Sequence, residues 1–338
     1  MKHDKQLFDS LFDITGERDT RSLEASLIRT VADYIEFDGL MILRRFEHND
    51  HLQISTCIPA NSLDDLGELN IEPDKDMRRC MEQAEIVVTA DANAARTLFP
   101  ISIHDTVVNI LAVHSPEPMT DAQAIIHGFT RIYSNFLTIL HDNEHDSMTG
   151  LLNRETFDQR LSELVRANPA RGKKTDEYEG ECRRGDVDST HNWVGVLDID
   201  HFKSINDNYG HLFGDEVLLL FSDQMKKAFR SNDLLFRYGG EEFVVVLSPV
   251  SEQDAVNTFE RFRRTIEEFE FPQIGRVTVS IGVVMMEEYD CHTTILEAAD
   301  QALYYAKEHG RNQVCNYHQL TRDGAIKRIE IVDDFEMF

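Results

Sequence analysis

Two pairs of carboxylates stand where an apolar run stops. Asp198 and Asp200 close WVGVLDID, and Glu241 and Glu242 follow Gly239-Gly240 between the apolar runs DLLFRY and VVVLS. A charge in the middle of a strand pair is costly to desolvate, whereas carboxylates at a strand end or in a hairpin reach solvent and can hold a hard cation. Side by side, the two places make a cradle for a divalent ion. Gly239-Gly240 reads as a two-residue hairpin turn, which needs positive φ, and a backbone without Cβ lets a phosphate-sized group come close. Cations gather near the same segments: Lys203 just after DID, and Lys307 with Arg311 before Asn312, their spacing of four placing both on one helix face. Alone, basic residues in a last helical turn complement the macrodipole. Combined with the carboxylates they are the parts of phosphoryl or nucleotidyl transfer, where positioning and charge neutralisation carry most of the catalysis.

These segments lie in the second half of a chain of 338 residues, long enough for two domains. With 41% hydrophobic and 28% charged residues the chain can bury proper cores. Asp+Glu 61 against Lys+Arg 34 leaves a formal charge of -27, shared by both halves, which argues against nucleic acid or an anionic membrane as partner. The five cysteines (Cys57, Cys80, Cys182, Cys291, Cys315) are odd in number and form no C-x-x-C pair, as expected of free thiols in a reducing compartment. The start, MKHDKQLFDSLFD, has no apolar signal core and no stretch approaches 18 apolar residues, so a soluble cytoplasmic protein is expected.

The elements follow from periodicity. In residues 1–118, Leu23, Leu27, Val31 and Ile35 mark a helix face, and LMILRRF, LQISTCI, IVVTAD, the FPI stretch (Phe99 to Ile101) and TVVNILAVHS read as strands, closed by Pro116 and Pro118. Residues 119–145 form a joining helix, Thr120 to His145, in which Ala122, Phe129 and Phe136 alternate with Ile126, Tyr133 and Leu140. That seam either packs on the first domain or joins two subunits. Residues 146–318 alternate strands and helices as an α+β sheet with covering helices, broken by a polar loop from Arg171 to Asn192, and residues 319–338 are left as an acidic tail.

The motifs of this half resemble, in order and spacing, the GGDEF-domain diguanylate cyclases: Asp146-Ser-Met-Thr-Gly-Leu-Leu-Asn-Arg154, DIDHFKSINDNYGHLFGDEVL (Asp198 to Leu218), RYGGEEF (Arg237 to Phe243), VSIGV (Val279 to Val283) and ADQALYYAKEHGRN (Ala299 to Asn312). The resemblance implies a fold like the palm of nucleotide polymerases and class III adenylyl cyclases, and condensation of two GTP into cyclic di-GMP with release of two pyrophosphates. It implies metal on Asp198, the main-chain carbonyl of Ile199 and Glu241: two Mg²⁺ per site, with Mn²⁺ as the alternative ion. It gives Glu242 the proton of the attacking 3′-hydroxyl, unless the metal suffices. Asn206 and Asp215 read the guanine edge, with His211 at the nucleoside. Lys203, Lys307 and Arg311 hold phosphates, helped by the backbone N–H groups of His201 and Phe202. Asp200 has the alternative of bonding its own loop, and Tyr209, Phe202 and Phe243 of packing the core.

Arg230-Ser-Asn-Asp233 matches the family's R-x-x-D product-inhibition site, and Arg261 its supporting arginine; a plain Arg230–Asp233 ion pair is the alternative. Since each site in the family binds one GTP, the resemblance implies a homodimer. The first domain resembles a GAF domain more loosely and implies a sensor of an unknown small molecule. His104, His114 and His127 could ligate a cofactor, against the ordinary alternative of surface or half-buried histidines. Two competing readings are a catalytically inactive cyclic di-GMP receptor using the R-x-x-D site, which the intact Gly-Gly-Glu-Glu disfavours, and a cyclase making a mixed purine dinucleotide, which Asp215 disfavours.

Overall fold

The computed structural model describes residues 20–45, 51–58, 70–91, 94–120, 122–167, 190–286 and 292–329. The chain forms two compact units, Met1–Asn143 and Glu144–Phe338. No helix among the described residues is long and apolar enough to cross a membrane.

In the first unit, helix α1 (Thr20–Ala32) is followed by β1 (Gly39–Arg45), β2 (Leu52–Ile58), β3 (Asn70–Ile71), helix α2 (Lys75–Gln83), β4 (Val87–Ala90), β5 (Ala95–Ile103), β6 (Thr106–Ser115) and helix α3 (Gln123–Glu144). The six strands pair antiparallel in the order β3-β2-β1-β6-β5-β4. The FPI strand grows to nine residues and carries Pro100, which the ladder tolerates because β4 pairs only with Ala95 to Leu98, leaving an edge at the proline. Helix α2 turns one narrow apolar face inward, Met77, Cys80 and Met81 at spacings of three and four; Asp74 caps it, accepting from the Asp76 and Met77 amides.

Helix α3 settles which way the seam faces. Ile126, Phe129 and Tyr133 are buried with Leu23, Leu27, Phe99 and Leu111, and Ala122, Phe136 and Leu140 pack on the same cluster. Among the described residues the seam packs on the core of the first unit. Ile125 and Ile139 lie on the other side, 42% and 54% exposed.

The second unit contains α4 (Arg154–Ala167), β7 (His191–Ile199), α5 (Phe202–Tyr209), α6 (His211–Ala228), β8 (Leu234–Arg237), β9 (Glu242–Val250), α7 (Glu252–Glu268), the short pair β10 (Glu270–Phe271) and β11 (Gly275–Arg276), β12 (Val279–Met285), α8 (His292–Glu308), β13 (Val314–Asn316) and α9 (Tyr317–Arg322). Five strands lie in the order β13-β12-β7-β9-β8, antiparallel except β12 with β13. Alternation along the strands splits the core in two. Leu197, Ile199, Phe243, Val245, Val279 and Ile281 face a cluster with α6 and α7; Val194, Val196, Val244 and Val246 face one with α4 and α8. The glycine of VSIGV serves this packing: a Cβ on Gly282 would collide with the backbone of α8 at Ala299 and Leu303. Residues expected as tail begin instead with α9, and Leu320, Ile326 and Ile329 pack on the core. The loop expected over Arg171 to Asn192 falls outside the described residues up to 189, and His191 and Asn192 already belong to β7. Cys57, Cys80 and Cys315 are buried.

Candidate active site

Strand parity assembles the acidic groups. Asp198 continues the row Val194, Val196 on β7, and Glu242 begins the row Val244, Val246 on β9, so both project to the α8 side of the sheet. They are also direct cross-strand partners, a relation that brings Cβ atoms within about 5 Å. The amide of Ile199 donates to the Glu241 carbonyl at 3.4 Å, so the backbones of the two predicted metal-holding segments touch. From α8, Lys307 Nζ lies 2.7 Å from Asp198 Oδ2.

Charge is costly here. Burial pushes the Asp198 carboxyl above the ordinary carboxylate range, and Glu242 and Asp200 push it the same way, together outweighing Lys307. Glu241 is raised by burial first and then by Asp198, again against Lys307. Asp198 raises Glu241 and is itself raised by Glu242 and Asp200, which marks a site short of positive charge. The donors around it are hard oxygens, the set that suits Mg²⁺ and Mn²⁺ over softer ions.

The glycine pair works differently from a two-residue hairpin. Neither Gly239 nor Gly240 has positive φ; the last strand pair is Arg237 with Phe243, leaving the five residues 238–242 in the turn. A Cβ on Gly239 would sit 2.8 Å from Glu242 Oε2, the far end of a side chain that can turn away, and a Cβ on Gly240 would meet nothing within 4 Å, which leaves that backbone open. The turn is clamped by Arg237, which donates to the Gly240 carbonyl at 3.0 Å and to Asp146 Oδ1 at 3.1 Å. Burial alone would raise Asp146, but the Thr149 amide and hydroxyl and Arg237 outweigh it and hold the carboxyl below its usual range.

Asp200 bonds more widely than to its own loop. Oδ1 accepts from Ser280 Oγ at 2.7 Å, and Oδ2 from Thr278 Oγ1 at 2.7 Å and the Asn312 amide at 3.0 Å. Asn312 is held in turn by Arg263 (Nη1 to Oδ1, 2.7 Å) and donates to Glu267 Oε1 at 2.8 Å. This network fixes the turn Gly310 to Asn312, where all three residues have positive φ. Arg311 therefore lies beyond α8, which ends at Glu308, and does not share a helix face with Lys307. It is exposed on the turn that the network holds. The spacing of four misled because Gly310 ends the helix. The sequence reading missed Arg263, Thr278, Ser280 and Asn312 as positioning residues. It also missed Asp300, close enough to Glu242 and Lys307 to feel both charges; its only signal is the spacing of seven before Lys307.

The remaining residues fall around α5 and α6. His201 is exposed at φ 60° and starts α5, and Phe202 is buried in the core; the first amides of that helix have no intrahelical acceptor. Lys203 and His211 are exposed, and Asn206 and Asp215 half-buried. A Cβ on Gly214 would overlap Asn206 Oδ1, so this glycine lets Asn206 lie against α6 next to Asp215. Tyr209 is 45% exposed, while Phe243 is fully buried.

At the far end of α6, Asp233 accepts from the Arg230 amide at 2.9 Å and the Ser248 amide at 3.0 Å. Arg261 donates to the Ala228 carbonyl at 3.3 Å, which brings it to the Arg230 turn. Asp233 is thus a turn cap, and its pairing with Arg230 runs through the backbone.

The family model described as "Diguanylate cyclase, GGDEF domain" matches residues 143–313, just over half of the chain. The diguanylate cyclase DgcP of Pseudomonas aeruginosa is 37% identical over 172 residues, covering 50% of this chain and 23% of that protein. The diguanylate cyclase VdcA of Vibrio cholerae is 33% identical over 191 residues, 55% of this chain and 50% of that protein. The chain thus spans half or less of the length of these curated relatives. The solved GGDEF domain of DgcB from Caulobacter crescentus, in complex with c-di-GMP, is 28% identical with a TM-score of 0.44, covering 52% of this chain and 96% of that one.

Proposed function

Because the chain belongs to the GGDEF family of diguanylate cyclase domains, we propose that it condenses two GTP into cyclic di-GMP with release of two pyrophosphates. The observation that carries this is the register: Asp198 opposite Glu242, beside Glu241, with Lys307 on Asp198. Divalent ions, two Mg²⁺ or Mn²⁺ per site, fit the oxygens of Asp198, the Ile199 carbonyl and Glu241, and supply neutralisation of the triphosphate and acidification of the attacking hydroxyl. Lys203, Lys307, Arg311 and the amides of His201 and Phe202 bind phosphate oxygens; Asp215 and Asn206 take the guanine edge, with His211 at the nucleoside. In the reaction the 3′-oxygen bonds to the α-phosphorus of the other GTP, the bond to the bridging oxygen breaks, pyrophosphate leaves and Glu242 accepts the hydroxyl proton. Full-length protein incubated with Mg²⁺ and GTP, ATP or both should yield cyclic di-GMP by mass in the GTP samples only. No product would leave the receptor reading, and a mixed dinucleotide would overturn the role of Asp215.

The reaction needs two catalytic units related by a two-fold axis, hence a homodimer. With the seam of α3 buried, the exposed residues Ile125 and Ile139, seven positions to either side of Ile132, are the row open to a second chain. Ile139→Asp should lower dimer mass in sedimentation and activity together; an active monomer would sink this. We read Arg230, Asp233 and Arg261 as the site of product inhibition, so Arg230→Ala should raise product yield at long times several-fold, and an unchanged progress curve would count against it. The first unit, an antiparallel sheet with helices on both faces and a long exit helix, supports a GAF-like regulatory input whose small-molecule ligand is unidentified.

A further inference from the structure

Away from the catalytic cradle, one cluster in the first unit has the chemistry of a metal site. His104 Nε2 lies 3.3 Å and His141 Nδ1 3.7 Å from the same oxygen, Asp142 Oδ1, and all three donor atoms lie within 4.8 Å of one another. An ion with bonds of roughly 2.0–2.1 Å in tetrahedral geometry sets neighbouring donors about 3.3–3.4 Å apart, a spacing that His104 and Asp142 already have and that His141 reaches by a small side-chain shift. The imidazoles stand 6.1 Å apart at 82°, so nitrogens converge on the carboxylate while the ring faces do not stack.

His104 opens the two-residue turn between β5 and β6 at φ 52°, in the left-handed region that histidine enters more readily than most residues. The other two donors come from the last turn of α3.

We propose that His104, His141 and Asp142 bind one divalent transition-metal ion, with Zn²⁺ the best fit and one position left for water or a small ligand. Two imidazoles and one carboxylate are softer than the oxygens of the catalytic cradle, so the two sites sort metals: Mg²⁺ to Asp198 and Glu241, Zn²⁺ to the histidines. The ion would tie the β5–β6 turn to the end of α3, within the first unit.

Co²⁺ is the probe. Metal-free full-length protein, held in excess Mg²⁺ to fill the carboxylate cradle, is titrated with Co²⁺ and followed by its visible ligand-field bands. One Co²⁺ per chain should bind without thiolate charge-transfer bands and be displaced by Zn²⁺. His104→Asn, which keeps a residue tolerant of positive φ, and Asp142→Asn should each weaken binding by roughly 10-fold or more, at least the loss that changes outside the ligand set produce. Both side chains are more than half exposed, 61% and 54%, so metal-free melting curves should match the parent and show the variants folded. No saturable uptake above Mg²⁺, thiolate bands, or unchanged affinity in the two variants would overturn the proposal and leave a surface ion pair.

Discussion

Two acidic groups of the second unit, Asp146 and Asp198, have opposite electrostatics. Asp146 receives the Thr149 amide and hydroxyl and Arg237, and its carboxyl is held low. Asp198 has one cation, Lys307, and faces Glu242 and Asp200, and its carboxyl is held high. The first is a structural clamp, complete in itself. The second is left short of positive charge, which is how a protein stores affinity for a cation at the expense of its own stability.

Substitution separates the two most widely. Asp198→Asn should cut cyclic di-GMP formation by roughly 10²–10³-fold or more, on the scale of removing one electrostatic catalytic group, while metal-free thermal stability holds or rises because a disfavoured charge has gone. A large loss of stability would show that Asp198 is structural after all. Next comes Arg237→Ala, which strips Asp146 and the Gly240 carbonyl of their partner; unfolding in denaturant should report a loss of about 2 kcal/mol. An unchanged midpoint would mean that the turn is held by other contacts.

The smallest effect is the pH dependence of metal-free stability. A raised carboxyl binds its proton more tightly folded than unfolded, so Asp198 makes stability fall as pH climbs from the ordinary carboxylate value through its raised folded one. Asp146 does the reverse: its stabilisation is full above the ordinary value and is lost as pH drops through the lowered one. Denaturation curves of Asp198→Asn and Asp146→Asn against the parent across the acid range should therefore differ in opposite directions, and equal displacements would remove the distinction.

Much of the candidate site was legible because each acidic group stands at the end of an apolar run. The paired acidic segments and Lys307 could therefore be picked out without coordinates. Those runs are apolar on both faces, so only the register of β7 with β9 sets Asp198 opposite Glu242. Arg311 could not be placed: a spacing of four implies one helix face only while the helix lasts, and Gly310 ends it. The Asp200 to Asn312 bond spans 112 positions, and nothing in the local sequence of either residue announces the other.

The first unit shows the same division. Its strands and its long helix follow from periodicity, but the choice between a buried seam and a subunit contact depended on whether a sheet lay against Phe129 and Tyr133. Periodicity states that a face is apolar and not what covers it. The chain's residues by themselves determined the elements, the acidic pairs and the family, because these depend on residue types at short spacing. Only the tertiary structure decided which charges meet, which face is covered and what brings His104 to the carboxylate beside His141, because burial and coupling act between groups far apart along the chain.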